Sequence, residues 1–269
     1  MLVDGFNRKI NYLRISVTDR CNHRCIYCMP KTPFTHKNHS DILTYEQIGG
    51  FVEVAAKMGI TKIRLTGGEP LVRKNIEQLI RKLADIDSIN ELCMTTNGTL
   101  LVQKAKLLKK AGLGRVNISI DSLDENRYQE LTRGGNLQHA LAGVDAAIKA
   151  ALTPIKINMV ILEETTEKEI ETMTRFCEKN SLQLQKIMQF SLYDRDNLSK
   201  RFNTRRPPKC ADCNRLRLTA DGYLKPCLFS DGEIKIDFNN IADSIRQAVL
   251  RKPKNGISCH NRLMNQIGG

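Results

Sequence analysis

Three cysteines, Cys21, Cys25 and Cys28, lie within eight residues in the segment CNHRCIYC. Thiolates are soft ligands that suit zinc, copper(I) and iron–sulfur clusters. The C-x3-C-x2-C spacing brings three sulfurs together and leaves a fourth coordination position without a protein ligand. A structural zinc site is normally closed by four protein ligands, and no fourth candidate follows at zinc-finger spacing. The spacing therefore favours a [4Fe–4S] cluster with one open iron, and the alternative is a zinc knuckle or a set of buried free thiols.

A second cysteine group, Cys210, Cys213 and Cys227, has the spacing C-x2-C-x13-C. It again offers three thiols without a fourth, whereas a zinc ribbon would need a second pair. The next thiol, Cys259, lies in a polar segment, where we expect it to be exposed and assign it no role. Two other cysteines, Cys93 and Cys177, stand in apolar contexts that predict core positions.

The segment Gly67-Gly68-Glu69-Pro70 follows a short predicted strand. It lacks the G-x-G-x-x-G spacing of a dinucleotide fingerprint. Glycines at the end of a strand let the backbone approach a ligand closely. The segment is therefore a candidate ligand-binding turn, and an ordinary turn is the alternative.

Together these motifs resemble the radical S-adenosylmethionine (SAM) enzymes, whose signature is C-x3-C-x2-C with an aromatic residue, here Tyr27, before the last cysteine. In that family the open iron binds the amino and carboxylate groups of SAM, and an electron from the cluster cleaves SAM to a 5′-deoxyadenosyl radical. In the same family, a Gly-Gly-Glu-Pro turn at this place lies against the SAM amino group. The resemblance implies a cluster on Cys21, Cys25 and Cys28 and SAM contacts from Tyr27, Gly68 and Ser119.

The second cysteine group narrows the resemblance. Asn214-Arg215-Leu216-Arg217 directly follows Cys213, and the sequence ends in Gly268-Gly269. This combination resembles the molybdenum-cofactor GTP 3′,8-cyclases. In that family a second [4Fe–4S] cluster binds the guanine of GTP through its open iron. The radical removes hydrogen from ribose C3′, which then attacks guanine C8. The product, (8S)-3′,8-cyclo-7,8-dihydroguanosine 5′-triphosphate, passes to a pyranopterin-forming enzyme.

This second resemblance implies further roles for individual residues. The second cluster would be held by Cys210, Cys213 and Cys227. Lys62 is the expected catalytic residue, and the expected GTP-binding residues are Arg14, Arg64, Thr95, Lys156, Arg215 and Arg217. A triphosphate carries several negative charges, and arginine grips phosphate oxygens in a bidentate manner. Because strand residues alternate between faces, a barrel could direct these cations inward. For Thr95 and Ser119 the alternative is an ordinary strand hydroxyl.

The elements that must position these residues alternate between strand and helix. Such alternation predicts a parallel sheet with right-handed crossovers. Strands are predicted over 10–18, 62–66, 92–96, 116–120, 155–161 and 182–187, and helices over 44–59, 75–86, 101–111, 137–151 and 168–180. The resemblance implies a partial (βα)6 barrel related to the TIM barrel, with chemistry at the carboxyl ends of its strands.

We expect the barrel to comprise residues 1–190 and a small cluster-binding extension to comprise residues 191–269. The extension is shortened, because only residues 191–209, a polar stretch typical of a linker, precede Cys210, where the family usually has several dozen residues. Bacterial relatives also commonly have an arginine in the sixth strand, where this chain has Gln185.

Composition sets the remaining expectations. The net charge of +13 fits an anionic substrate or solvated lysines. Aromatic residues make up only 5% and Trp is absent, so we expect no nucleic-acid partner. No apolar run approaches the roughly 20 residues of a membrane span. The lack of a signal-peptide pattern predicts a cytoplasmic enzyme. The family resemblance implies a flavodoxin- or ferredoxin-like reductant and is compatible with a homodimer.

Two other functions fit parts of this sequence. One is a radical SAM enzyme that modifies a peptide or another small molecule and uses the second cluster as an electron relay. The other is a cluster-bearing regulator or nucleic-acid-binding protein. A regulator or nucleic-acid-binding protein would not need a SAM-binding turn, so this alternative does not explain the Gly-Gly-Glu-Pro segment.

Overall fold

The structure is a computed structural model that describes residues 1–193 and 209–268. A hairpin of β1 (Leu2–Val3) and β2 (Lys9–Ile10) precedes the main sheet. Six parallel strands then follow in sequence order, namely β3 (Tyr12–Ser16), β4 (Lys62–Thr66), β5 (Glu91–Thr96), β6 (Arg115–Ser119), β7 (Lys156–Ile161) and β8 (Gln183–Met188). All six were predicted from the sequence, within one or two residues at most ends.

Helices connect these strands, and five of the six that do so were predicted. They are α1 (Tyr45–Lys57), α2 (Ile76–Ala84), α3 (Leu101–Lys110), α4 (Glu125–Thr132), α5 (Leu137–Lys149) and α6 (Glu167–Lys179). Thr44 and Gln47 form the predicted capping box at the start of α1. The unpredicted helix is α4, a short polar segment that begins where the Asp124 side chain accepts a hydrogen bond from the backbone N–H of Arg127.

The carboxyl-terminal segment adds three strands to the same sheet. These are β9 (Arg215–Leu218), β10 (Tyr223–Lys225) and β11 (Ile234–Lys235), which are followed by α7 (Ile241–Leu250) and α8 (Met264–Ile267). Strand β9 pairs in parallel with β3, and the order across the sheet is β11-β10-β9-β3-β4-β5-β6-β7-β8. Within the described residues β8 and β11 are its two edges, so the predicted partial barrel is confirmed. The domain boundary at residue 190 stays a prediction.

The two faces of the parallel strands differ in chemistry. One face packs against the helices through fully buried side chains such as Ile15, Ile63 and Met94. Burying one such side chain contributes about 1.5–3 kcal/mol. The other face carries Arg14, Arg64 and their neighbours, so the strands alternate apolar and polar residues. Parallel strands that are buried on both faces usually read as continuous apolar runs. This alternation therefore gives the barrel a polar interior.

Within the described residues, no helix has both the length and the apolar composition that crossing a membrane requires.

Candidate functional site

The first cysteine loop, residues 21–28, follows β3 at its carboxyl end. The carboxyl end of α4 fixes this loop through backbone hydrogen bonds. Arg24 N donates to Thr132 O at 3.2 Å, and Ile26 N donates to Leu131 O at 2.9 Å. The helix that the sequence did not predict is thus the element that holds the loop.

The three thiols of this loop are partly buried on one wall of a cavity. Burial raises the pKa of Cys21 to about 11 and that of Cys28 to about 12, and it raises the pKa of Cys25 well above its usual range. These thiols therefore stay protonated at neutral pH until a metal centre displaces their protons.

A zinc ion and an iron–sulfur cluster arrange their cysteine ligands differently. Across residues 1–193 and 209–268, no three His, Cys, Asp or Glu side chains converge on a position for a single metal ion. A structural zinc ion requires its ligands to meet at one centre. In a [4Fe–4S] cluster each cysteine binds a different iron, so the three thiols that line this cavity need not meet at one point to hold a cluster.

The Gly-Gly-Glu-Pro turn packs directly along the cysteine loop. Gly68 N donates to Thr18 O and Glu69 N donates to Arg20 O, both at 2.8 Å. A Cβ at Gly68 would overlap the carbonyl of Arg20 and lie 3.0 Å from Cys21 N. The turn needs glycine here because the two backbones touch.

The carboxyl group of Glu69 is buried beneath this turn. It accepts hydrogen bonds from Leu71 N at 2.9 Å, Thr96 Oγ1 at 2.8 Å and Asn97 N at 2.7 Å. Burial raises the pKa of Glu69 to about 7 despite these donors, which lower it. A cationic group that enters the adjoining cavity would stabilise its charged form.

The SAM-contact residues expected from the sequence line a cavity of about 190 Å³ together with the first three cysteines; they are Tyr27, Gly68 and Ser119. Tyr27 Oη donates to Asp121 Oδ2 at 2.6 Å, which fixes the ring beside the cysteine loop. Burial raises the pKa of Asp121 to about 6, while hydrogen bonds from Tyr27 and Val160 N lower it.

Arginines from three adjacent strands form a row on the inner face. The register pairs Arg14 of β3 with Arg64 of β4 on one side and with Arg217 of β9 on the other. Burial and, to a smaller extent, the charge of the neighbouring Arg215 together lower the pKa of Arg217 to about 10. Like charges buried side by side are costly without an anion, so this row fits an anionic ligand.

A second row of side chains lies two residues nearer the amino ends of the same strands. Tyr12 is paired with Lys62 and with Arg215, and both cations lie over its ring, at 5.0 and 5.4 Å from its centroid. Lys62 Nζ also contacts Glu91 Oε2 at 2.6 Å. Arg215 Nε is buried and has no hydrogen-bond partner among the described residues. This row therefore has a donor available for a ligand.

All the residues expected to handle GTP line one larger cavity of about 310 Å³, namely Arg14, Lys62, Arg64, Thr95, Lys156, Arg215 and Arg217. The same cavity is lined by Cys210, Cys213 and Cys227. Gln185 lies on its wall and donates to Asn158 Oδ1 at 2.8 Å. The roles of these residues stay predictions, but their shared location matches the expectation.

The second cysteine group borders this cavity beside a cation that no sequence motif marked. Lys252 Nζ donates to Arg215 O at 2.8 Å and to Pro226 O at 2.7 Å. Burial would raise the pKa of Cys213, but the charge of Lys252 and hydrogen bonds from Lys252 and Arg215 N lower it overall. A Cβ at Gly256 would lie 2.5 Å from Cys227 Sγ, so the backbone passes close to this thiol. Three thiols around a cationic, glycine-lined wall fit an anionic thiolate-bound cluster.

The two cavities adjoin. Four residues line both of them, namely Thr95, Asn158, Ile187 and Phe190. A molecule bound at the first cysteine group can therefore contact one bound between the cationic rows and the second group.

One expectation about a cysteine is wrong. Cys259 is fully buried in a small apolar cluster with Leu192 and Ile267, and its Sγ lies 3.3 Å from Asn261 Oδ1. The polar segment around it suggested exposure, but packing against the distant Leu192 and the nearby Ile267 buries it. Cys93 and Cys177 are buried as predicted.

Gly268, near the carboxyl terminus, also reaches the inner wall. Gly268 O accepts a hydrogen bond from Arg217 Nη1 at 2.5 Å, and its backbone lies against Thr66. Gly268 has φ +73°, which favours glycine. Gly269 lies outside the described residues.

Sequence reasoning missed several lining residues. They are Lys252 in the larger cavity, Asn158 between the two cavities and Met188 in the smaller one. The period-two alternation of β7 could have identified Asn158, which shares a face with Lys156. Lys252 follows α7 without any local pattern that marks it as inward-facing.

Comparison with known proteins identifies the family. The model of the radical SAM superfamily matches residues 15–177. A GTP 3′,8-cyclase from Petrotoga mobilis is 37% identical, with the whole of both chains aligned. Another from Thermodesulfovibrio yellowstonii is 40% identical over 99% of each chain. The Petrotoga alignment spans 323 positions and this chain has 269 residues, so at least 54 positions have no residue here.

Solved structures agree on the fold. Native anSMEcpe with bound AdoMet matches 91% of this chain and 81% of its own at a TM-score of 0.65 and 15% identity. Streptococcus suis SuiB bound to S-adenosylmethionine matches 81% of this chain and 60% of its own, also at a TM-score of 0.65 and 15% identity. The superfamily match and the full-length identities show that this chain belongs to the radical SAM superfamily and, within it, to the GTP 3′,8-cyclase family.

Proposed function

We propose that this chain converts GTP to (8S)-3′,8-cyclo-7,8-dihydroguanosine 5′-triphosphate in molybdenum cofactor biosynthesis. The observation that carries the proposal is the pair of adjoining cavities. One is lined by the first cysteine group and the Gly-Gly-Glu-Pro turn, and the other by the cationic rows and the second cysteine group. The full-length likeness to GTP 3′,8-cyclases supports the same activity.

In the smaller cavity, the first three cysteines would hold a [4Fe–4S] cluster on which SAM binds. When bound, the cluster and SAM supply a 5′-deoxyadenosyl radical. Tyr27, Gly68 and Ser119 would position SAM. The adjoining position of the second cavity lets the GTP ribose lie beside SAM, and the apolar side chains of Ile187 and Phe190 would exclude water between the two ligands.

In the larger cavity, the triphosphate would lie on the row of Arg14, Arg64 and Arg217. Their guanidinium groups provide paired donors for phosphate oxygens. Thr95, which carries no charge, accepts a hydrogen bond from Arg64 Nη1 at 3.1 Å and so orients that arginine. Lys156 and Arg215 would complete the electrostatic site.

Lys62 would act as the catalytic residue. Its ammonium group lies 2.6 Å from the Glu91 carboxylate and over the ring of Tyr12. These contacts hold a proton donor on the wall of the GTP cavity, where it can reach the substrate.

A second [4Fe–4S] cluster on Cys210, Cys213 and Cys227 would bind the guanine base through its open iron. The partners that this chemistry requires are a flavodoxin- or ferredoxin-like reductant and the pyranopterin-forming enzyme that takes the product. Assembly as a homodimer is a further part of the proposal. The peptide-modifying alternative has only the support of fold neighbours at about 15% identity, which bear on the fold alone.

The test is an anaerobic reaction of the reconstituted chain with SAM, dithionite and GTP. The proposed product is an isomer of GTP, because one hydrogen leaves ribose C3′ for 5′-deoxyadenosine, C8 keeps its hydrogen, and one electron from the reductant with one proton completes the N–H at position 7. It must therefore be separated by chromatography and identified by NMR. We expect 5′-deoxyadenosine to form with GTP and not with ATP. Formation of 5′-deoxyadenosine without any cyclised nucleotide would refute the assignment.

A further inference from the structure

Arg8, which no motif identified, is a buried cation at the second cysteine group. Its Nη1 donates to Cys210 O at 2.9 Å and to Lys254 O at 3.0 Å, and its Nη2 donates to Pro253 O at 2.7 Å. The guanidinium group therefore joins a cysteine-bearing turn to the segment that follows α7, more than forty residues later.

The hairpin of β1 and β2 holds this guanidinium in place. Asp4 Oδ2 accepts from Arg8 Nε at 2.6 Å, and Asp4 Oδ1 accepts from Phe6 N at 2.9 Å and Arg8 N at 3.0 Å. Asp4 and Arg8 are both buried. Four donor contacts of one fixed guanidinium give it a defined position, as expected for a satisfied buried charge.

Lys252 makes similar hydrogen bonds to the other two cysteine-bearing segments. It is 3% exposed, and its Nζ binds the carbonyls of Arg215 and Pro226. Pro226 precedes Cys227, and Arg215 lies two residues after Cys213. One ammonium group therefore joins the two remaining cysteine-bearing segments.

Through these contacts residues 252–254 touch all three segments of the second cysteine group. Arg8 connects residues 253 and 254 to Cys210, and Lys252 connects the same segment to the neighbours of Cys213 and Cys227. We name Arg8 and residues 252–254, which include Lys252, the cation clamp.

We propose that the cation clamp positions the three thiols of the second cysteine group for cluster binding. Arg8 and Lys252 are positioning residues, because their hydrogen bonds reach carbonyls of the cysteine segments. The positive charge of Lys252 also favours the binding of thiolates in a buried site, whereas the charge of Arg8 is paired with Asp4. This inference rests on the proposed second cluster and adds the residues that assemble its site.

The experiment compares three variants of the full chain after anaerobic reconstitution. Arg8→Gln and Lys252→Met remove the two cations. Arg251→Met removes the exposed charge next to Lys252 and is the matched control. Iron and sulfide per chain are measured together with the electron paramagnetic resonance spectrum, with and without SAM.

We expect the wild type and Arg251→Met to hold about eight irons per chain, as two [4Fe–4S] clusters require. Arg8→Gln and Lys252→Met should hold about four, and the remaining signal should still change when SAM is added. In the metal-free chain, the backbone amide of Cys213, which donates to Cys210 O at 3.1 Å, should exchange hydrogen for deuterium at least several-fold faster in Arg8→Gln.

Two results would overturn the role of the cation clamp. One is retention of about eight irons with an unchanged spectrum in both variants. The other is an equal loss of iron from both sites, which would indicate a general role in folding. A wild-type chain with only about four irons would instead refute the proposed second cluster itself.

Discussion

At the scale of single residues, buried charge is concentrated where an anion would bind. Arg217 is buried, and its neighbours across the sheet include Arg14 on β3. Its Nη1 donates to Gly268 O, a neutral acceptor that adds no compensating negative charge. Such a residue gains most from a phosphate group, because a charge-assisted hydrogen bond is stronger than a neutral one.

Arg217→Ala should therefore weaken GTP binding more than guanosine binding. The expected increase in the dissociation constant for GTP is about tenfold to one hundredfold, from the loss of a charged hydrogen bond worth about 1.5–3 kcal/mol. Equilibrium binding of GTP and of guanosine to anaerobic protein measures the difference, and Arg251→Ala is the exposed control. Equal losses for GTP and guanosine would contradict a phosphate-binding role.

The pH dependence of stability should report the buried carboxyl of Glu69. Burial raises its pKa to about 7 from an ordinary value of 4.5, so the folded chain binds this proton more tightly than the unfolded chain. The contribution of this group to the free energy of unfolding is therefore largest below pH 4.5 and is lost as the pH rises through about 7. Other titratable groups also make the free energy of unfolding depend on pH. A variant at Glu69 is therefore needed to isolate the contribution of this carboxyl group.

Glu69→Gln removes this titration, so its stability relative to wild type should rise between pH 5 and pH 8, values roughly on either side of the pKa. Urea unfolding of the metal-free, reduced chain at several pH values measures the trend. Glu53→Gln, which changes an exposed carboxyl on α1, is the control and should run parallel to wild type. A constant difference between Glu69→Gln and wild type would rule out the raised pKa.

At the scale of elements, a close contact between backbones fixes α5 against the sheet. A Cβ at Gly143 of α5 would overlap the carbonyl oxygen of Gly98, in the turn that follows β5. Gly98 itself has φ +84°, a conformation that favours glycine. The turn also follows Asn97, which lines the SAM cavity, so the packing of α5 supports the site.

Gly143→Ala should destabilise the chain by about 1–3 kcal/mol, because the added methyl group forces α5 away from the turn. Gly50→Ala is a matched control in α1, where a Cβ would meet no atom within 4 Å. That control should be stabilised by about 0.5–1 kcal/mol, since alanine favours the helix. Urea unfolding measures both, and equal effects would contradict the contact.

At the scale of the whole molecule, two three-cysteine groups line two adjoining cavities. They come from opposite ends of the chain and meet because β9 pairs with β3. The alignment with the Petrotoga mobilis relative spans at least 54 positions at which this chain has no residue. The chain brings the two cysteine groups to adjoining cavities without those residues. The cation clamp and the extended sheet account for how the second group is held in the described residues.

The two cysteine groups should be separable by substitution. Cys25→Ser should abolish SAM cleavage, because it removes a proposed ligand of the first cluster. Cys213→Ser should retain SAM binding and about four irons while weakening GTP binding. Iron content, SAM cleavage and GTP binding on the same preparations measure this. Unchanged GTP binding in Cys213→Ser would contradict the assignment of the second group.

The sequence by itself determined the features that local patterns encode. The cysteine spacing identified the first group, the alternation of strands and helices identified the parallel sheet, and the family resemblance implied the partial barrel. The period-two pattern of the strands was sufficient to place Arg64 and Lys156 on the inner face. These predictions succeeded because neighbours in the chain fix ligand spacing, strand faces and most helix boundaries.

Only the tertiary structure decided which distant segments meet. The pairing of β9 with β3, the support of the first cysteine loop by α4, the burial of Cys259 and the contacts of Arg8 and Lys252 all depend on residues far apart in sequence. No local periodicity marks such contacts, because their free energy depends on how packed elements bring the partners together. The first cysteine group could therefore be read from the sequence, whereas the assembly of the second required the fold.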